Sequence, residues 1–225
     1  MATTDSAPAA PIVRTLPAPG SYLCGLTWDG TLLWHSDQEA GTVFAIDPAD
    51  GSVRRELACP RARADLACDG VSLLQVGGRP KRILQLDPGT GQLRGEKEVL
   101  PASGRLTGIE FGTDGLWMCL RGPTVVQLRN YETMLVEREF PVDGDSPSGL
   151  TCLPGMVCYG DFDDALVRAI DPESGKPLGA LRAPGRPTGM TWDGEHLWYC
   201  DFPARALAAL DVSALLPGRP RTGRA

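Results

Sequence analysis

The sequence has almost nothing that a helix needs. No segment joins a persistent 3.6-residue apolar spacing to capping residues, so very little helix is expected. Histidine is nearly missing as well: His35 and His196 are the only two in 225 residues. That pair is too poor a donor set for a histidine-rich site and argues against zinc. No run approaches eighteen consecutive apolar residues, so no transmembrane helix is expected. Basic stripes are absent, and the formal net charge of −6 with a pI near 5.0 argues against nucleic acid or an anionic membrane as partner. The seven cysteines never fall at CxxC spacing, which points to reduced thiols in a cytoplasm. The opening "MATTDSAPAAPIV" has neither a basic n-region nor an apolar h-region, so no secretory signal is expected.

What the chain does have is repetition. "GLTWDGTLLWHSD" (Gly25 to Asp37) returns as "GMTWDGEHLWYCD" (Gly189 to Asp201), with weaker echoes in "ADLACDGVSLLQVGG", "TGIEFGTDGLWMCLR" and "SGLTCLPGMVCYGD". The marker positions are Trp28, Cys68, Phe111, Cys152 and Trp192, spaced by 40, 43, 41 and 40 residues. Each marker is followed by a second phrase such as "FAIDPADGSVRREL" or "LQLDPGTGQLRGEK". A period near 40 with short apolar runs signals a repeat architecture.

Each copy reads as four strands, a to d. In the first copy "CGLTW" is strand a, and Asp29-Gly30 is expected to form a two-residue hairpin turn with positive φ. "LLWHSD" and "TVFAID" are strands b and c; Asp-Pro-x-x-Gly then turns the chain into strand d, "SVRREL". Five four-stranded units at this period predict a five-bladed, all-β propeller. The fifth copy lacks a strand d, while "PIVRTLPAPG" (Pro11 to Gly20) matches "KPLGALRAPG" (Lys176 to Gly185). The N-terminal strand is therefore expected to close the ring in the last blade, removing two sheet edges. Residues 1–10 read as a disordered terminus, 11–216 as one propeller domain, and 217–225 as a flexible tail.

The "GLTWDG…LW…D" and "IDP…G" phrases resemble those of the small YVTN, virginiamycin-B-lyase-like and glutaminyl-cyclase-like propellers. The resemblance runs from about Pro11 to Val212 and rests on blade consensus, so it implies the fold and carries over no catalytic residue. The Trp-Asp dipeptide lies on the a–b turn without a Gly-His partner, unlike that of WD40 repeats.

Function is sought where one copy departs from the others. Three before the marker stand Gly25, Asp65, Gly108, Gly149 and Gly189; one before it stand Thr27, Ala67, Glu110, Thr151 and Thr191. Asp65 and Glu110 are single acidic intrusions into channel-facing columns, suited to acid/base work or to a cation. The plainer alternative is that they are solvated or paired with Arg63. At the ends of strand b, Asp37, Asp161 and Asp201 read as consensus residues bonding loop amides. The flanking columns offer His35, Tyr159 and Tyr199, and then Arg121, Phe162 and Phe202. Polar groups (His35, Arg63, Asp65, Glu110, Arg121) thus face aromatic walls (Tyr159, Phe162, Tyr199, Phe202), the usual make-up of a small-ligand pocket.

The reading this favours is a small-molecule-binding propeller whose partner is a small, partly aromatic organic ligand at the channel mouth. One alternative is a metal-independent lyase- or cyclase-like enzyme, with Glu110 or Asp65 as general acid/base and Arg121 or the tyrosines stabilising charge. Another is a protein-interaction scaffold. No cofactor is expected. Calcium on Asp65, Glu110 and carbonyls is the one ion left open, as a resemblance to lactonase-type propellers would imply, and the Asn ligands of that resemblance are absent. The "GGRPKR" stretch (Gly77 to Arg82) reads as a solvated basic b–c loop. Oligomeric state is not legible.

Overall fold

The computed structural model describes residues 7–99 and 104–216. Among them are twenty strands and no helix. The first, β1 (Ile12–Pro17), precedes the first repeat. Blade 1 is β2 (Leu23–Trp28), β3 (Leu33–Asp37), β4 (Thr42–Ile46) and β5 (Val53–Ala58). Blade 2 is β6 (Ala62–Cys68), β7 (Leu73–Gly77), β8 (Arg82–Leu86) and β9 (Leu93–Glu98). Blade 3 is β10 (Arg105–Gly112), β11 (Gly115–Arg121), β12 (Val125–Arg129) and β13 (Val136–Pro141). Blade 4 is β14 (Pro147–Leu153), β15 (Met156–Asp161), β16 (Leu166–Ile170) and β17 (Pro177–Arg182). Blade 5 adds β18 (Pro187–Trp192), β19 (Leu197–Asp201) and β20 (Ala206–Leu210).

The chain is a five-bladed propeller of four-stranded antiparallel sheets. Blade 5 takes its outer strand from the N-terminus: β1 pairs antiparallel with β20, Leu16 opposite Leu207. The segment read as disordered is partly in place. Ala10 is buried and donates its amide to the Arg182 carbonyl at 2.9 Å, while the Arg182 amide donates to Pro8 at 2.8 Å. Residues 1–6 and the tail 217–225 lie outside the described residues.

Burial follows position in the blade. β3 and β20 are buried at every residue, whereas β5 ("VRRELA") buries only Leu57. The inner three strands are mostly buried between neighbouring blades, whereas the outer one mostly meets water. Five apolar clusters form, one at each blade boundary. Trp34, Val43 and Leu57 of blade 1 pack on Leu66, Leu73 and Leu84 of blade 2. Across the closure, Leu26 and Phe44 meet Trp198 and Leu207.

The repeated phrase proves structural. Asp29 Oδ1 accepts the amides of Thr31 and Leu32 (2.8 and 2.7 Å), and its Oδ2 accepts the Trp34 indole at 2.6 Å. Asp193 does the same for Glu195, His196 and Trp198. The expected two-residue turn at Asp29-Gly30 is shifted by one residue. Trp28 pairs with Leu33 and the Asp29 amide donates to the Leu32 carbonyl at 3.2 Å, so Gly30, at φ +97°, and Thr31 make the turn under the Asp29 side chain. Two-residue loops also occur in blades 3 and 4, where Gly112 pairs with Gly115 and Leu153 with Met156. At the c–d turn Gly51 has φ +75° and its amide bonds to Asp47 at 2.8 Å. Blade 3 puts Met134 there at φ 59°.

Candidate functional site

The five inner strands, β2, β6, β10, β14 and β18, run in the same direction around the axis. Their starts share one mouth with the ends of the second strands, as Leu23 opposite Asp37 and Pro187 opposite Asp201 show. Each inner strand loses register with its neighbour near this mouth: between Leu23 and Gly25, Ala62 and Leu66, Leu106 and Gly108, Ser148 and Leu150, and Pro187 and Met190. Such bulges twist a strand locally and re-aim its side chains.

Just below the bulges the channel is closed by Asp65. Its Oδ1 accepts the Leu26 amide at 3.2 Å, and its Oδ2 accepts those of Ile109 (3.1 Å) and Leu150 (3.2 Å). The Leu66 amide donates to it as well. One fully buried carboxylate thus gathers amides from blades 1, 2, 3 and 4. Glycines in the other four copies let the backbones come this close. A Cβ on Gly189 would sit 2.4 Å from the Gly25 carbonyl carbon, and one on Gly149 would sit 1.6 Å from the Thr188 oxygen. Burial pushes the Asp65 carboxyl well above the usual carboxylate range, against the pull of the Leu66, Ile109 and Leu26 amides. Every one of these partners is a donor, which is the arrangement that suits the charged form.

Glu110 forms a second layer, two residues further along its strand. Its carboxylate accepts the Phe111 amide at 3.0 Å and the Thr151 hydroxyl at 3.1 Å, and bonds to Thr191. Burial raises it to about 8. Arg63 pairs with neither acid; its guanidinium donates to the carbonyls of Pro60 (3.3 Å) and Ala62 (2.6 Å).

Above the Asp65 layer a cavity of about 200 Å³ opens at the mouth. Arg63, Arg121, Phe162 and Phe202 line it, joined by Tyr22, Lys81 and Arg105, which sequence reasoning missed. Phe202 is the hinge of its apolar wall: its ring meets Tyr22 edge-on at 5.0 Å and Phe162 at 5.9 Å. Arg186 lies over Phe162, 5.2 Å from the ring centre. The floor carries Thr107, Ser148 and Thr188, whose hydroxyls donate to the carbonyls of Cys119, Pro187 and Leu23. Lys81 comes from the "GGRPKR" loop, so that stretch is not simply a solvated turn.

Neither Asp65 nor Glu110 lines the cavity. His35, Tyr159 and Tyr199 do not reach it either. All three are buried, and their polar atoms donate to loop carbonyls: His35 Nε2 to Pro19 (2.9 Å), Tyr159 to Asp143 (3.0 Å) and Tyr199 to Pro184. Burial pushes His35 down to about 4, so its ring, stacked on Phe44 at 5.2 Å, is neutral. Asp37 bonds the amides of Ser21, Tyr22 and Ala40 as the consensus reading expects. The column thiols are poor nucleophiles: burial pushes Cys119 up to about 12 and Cys200 well above the usual thiol range, and all seven cysteines are free. Cys152 and Cys158 sit diagonally, since Thr151 is opposite Cys158.

A larger depression, about 620 Å³, lies on the opposite face beside Phe111, Trp117, Met156 and Trp192. Its acids, Asp114 and Glu173, are already shared with Arg138 at 3.7 and 2.9 Å. The mouth cavity is the better candidate because an aromatic wall there faces several basic side chains, of which only Arg121 has an acidic partner among the described residues, Asp163 at 3.3 Å.

No family model matches the chain, and no curated protein matches it. Among solved structures, the Myxococcus xanthus glutaminyl cyclase superposes with a TM-score of 0.75 at 16% identity, covering 90% of this chain and 95% of that one. A chain of a nidogen/laminin complex superposes with a TM-score of 0.61 at 15% identity, covering 88% of this chain and 79% of that one. At these identities the likeness is one of fold, and the chain is a five-bladed β-propeller similar in structure to that glutaminyl cyclase.

Proposed function

We propose that this propeller binds a small, partly aromatic organic molecule in the mouth cavity above Asp65. The observation that carries the reading is the edge-to-face set Tyr22–Phe202–Phe162, aligned on one wall of a cavity whose other wall is polar. A planar ligand ring buries apolar area against such a wall. The volume falls below the roughly 300–1,000 Å³ of drug-sized sites, which suits a small aromatic metabolite better than a peptide. A thermal-shift screen of metabolites and natural products, followed by calorimetry, tests it. Phe202→Ala should weaken a hit by about 1–3 kcal/mol. A hit that binds this variant as well as it binds the parent would move the site elsewhere.

The enzyme alternative has one observation in its favour, the raised Glu110 beneath the mouth in a fold shared with a glutaminyl cyclase. It is the weaker reading because Asp65 stands between Glu110 and the cavity. Turnover of glutaminyl peptides that is lost in Glu110→Gln would reverse this ranking. The scaffold alternative gains from the closed channel. Against it, the exposed apolar residues Ile12, Val53, Leu93, Val136 and Leu178 among the described residues are dispersed over the outer strands of five different blades.

A further inference from the structure

The mouth has the wrong charge for this protein. Across the whole chain acids outnumber bases, giving the formal net charge of −6. Around the cavity the balance inverts: Arg63, Lys81, Arg105 and Arg121 line it, and no carboxylate does. Even with Asp65 below counted as an anion, four positive charges stand against one negative.

Those charges are poorly compensated from within. Arg121 meets Asp163 at 3.3 Å, but the two side chains are 40% and 56% exposed. A solvated pair of this kind is screened by water and compensates the guanidinium only weakly. Among the described residues Arg63, Lys81 and Arg105 have no carboxylate within ion-pair distance. Arg63 and Lys81 turn donors to backbone carbonyls instead, Lys81 to Leu106. Burial first, and Arg105 second, push Lys81 down to about 8. An ammonium crowded by a guanidinium and lacking a counter-ion behaves in this way.

We infer that the ligand of the mouth cavity is an organic anion: a carboxylate or phosphate held by Arg63, Lys81, Arg105 and Arg121, joined to a ring that lies on Phe162 and Phe202. The inference rests on the mouth-cavity reading above and names the ligand class. Guanidinium groups present planar pairs of donors to either oxyanion, and the lysine adds a point charge. The aromatic wall fixes the other end, so the two halves of the site demand a molecule with both features.

Calorimetry on the full chain at low salt tests this with four probes: indole-3-acetate, phenyl phosphate, neutral indole-3-acetamide and cationic tryptamine. At least one of the two anions should bind, about tenfold or more tighter than the amide. Tryptamine should not bind, and added salt should weaken the anion. Arg105→Gln and Lys81→Gln should each weaken the anion about five- to tenfold and leave the amide unchanged. Preference for the carboxylate or for the phosphate then tells which oxyanion the site takes. Amide and acetate binding within twofold of each other would overturn the anion class while leaving the mouth as a binding site. Failure of both anions overturns it too; in that case a neutral screening hit that depends on Phe202 would preserve the binding reading, and no such hit would end both.

Discussion

The carboxylate of Asp65 accepts the amide hydrogen of Leu150, 85 positions further along the chain, at 3.2 Å. With Leu26 and Ile109 on the same group, one side chain ties together inner strands that share no sheet. Asp65→Ala strands these amides in a dry channel, so it should cost about 2–5 kcal/mol. Formate, small enough to replace the carboxylate, should recover part of the loss. Urea midpoints with and without formate measure this; an unchanged midpoint for Asp65→Ala would mean that the ring closes without its plug.

Glu110 gives the stability a pH slope of known sign. Its folded value of about 8 lies above its ordinary 4.5. Between those pH values the native state holds a proton that the unfolded chain has released, so stability falls as pH rises. His35 works the other way between 6.5 and about 4, where the unfolded chain holds the extra proton. Glu110 is therefore best read from about pH 6.5 to 8. Asp65, also raised by burial, adds a slope of the same sign, so Glu110→Gln should make that stretch shallower and overtake the parent in stability toward its upper end. Parallel slopes for the two proteins would show that the carboxyl is ionised throughout.

Deleting residues 1 to 18 removes β1 and no residue of the mouth cavity. The exposed edge of β20 should then recruit another chain or let blade 5 open. Light scattering after size-exclusion chromatography should find oligomers or an expanded monomer. A compact monomer with the parent's melting temperature would contradict ring closure by this strand.

Two glycines with positive φ separate strain from space. At Gly194, φ +101°, an added Cβ meets nothing within 4 Å; at Gly175, φ +68°, it falls 2.4 Å from the Phe140 ring. Gly194→Ala should cost about 1–2 kcal/mol from backbone strain alone. Gly175→Ala should cost about 1–3 kcal/mol more, because the ring must move. Equal denaturation midpoints for the two variants would mean that the c–d turn relaxes freely.

Blade count, strand order and closure were legible because they repeat. Marker spacing and the stray outer strand at Ile12–Pro17 were enough. Column position also told that Asp65 and Glu110 face the channel. It could not tell that Asp65 closes it, since the amides of Leu26, Ile109 and Leu150 converge only when the ring does. His35 read as a polar group of the pocket, and Tyr159 and Tyr199 as its wall, because the loop carbonyls that hold them lie outside the aligned phrases. Lys81 and Arg105 were missed for the opposite reason. They sit beside b–c and d–a loops, which open on this mouth in every blade, and that rule was the available signal.

The central claim is that a small molecule sits at the mouth above Asp65. Amide chemical-shift mapping of the full chain with a screening hit tests it most directly. The account predicts that the largest shifts fall on Tyr22, Ser148, Phe162 and Phe202, and that they vanish in Phe202→Ala. Shifts gathered instead at Trp117, Met156 and Trp192 on the opposite face would contradict it.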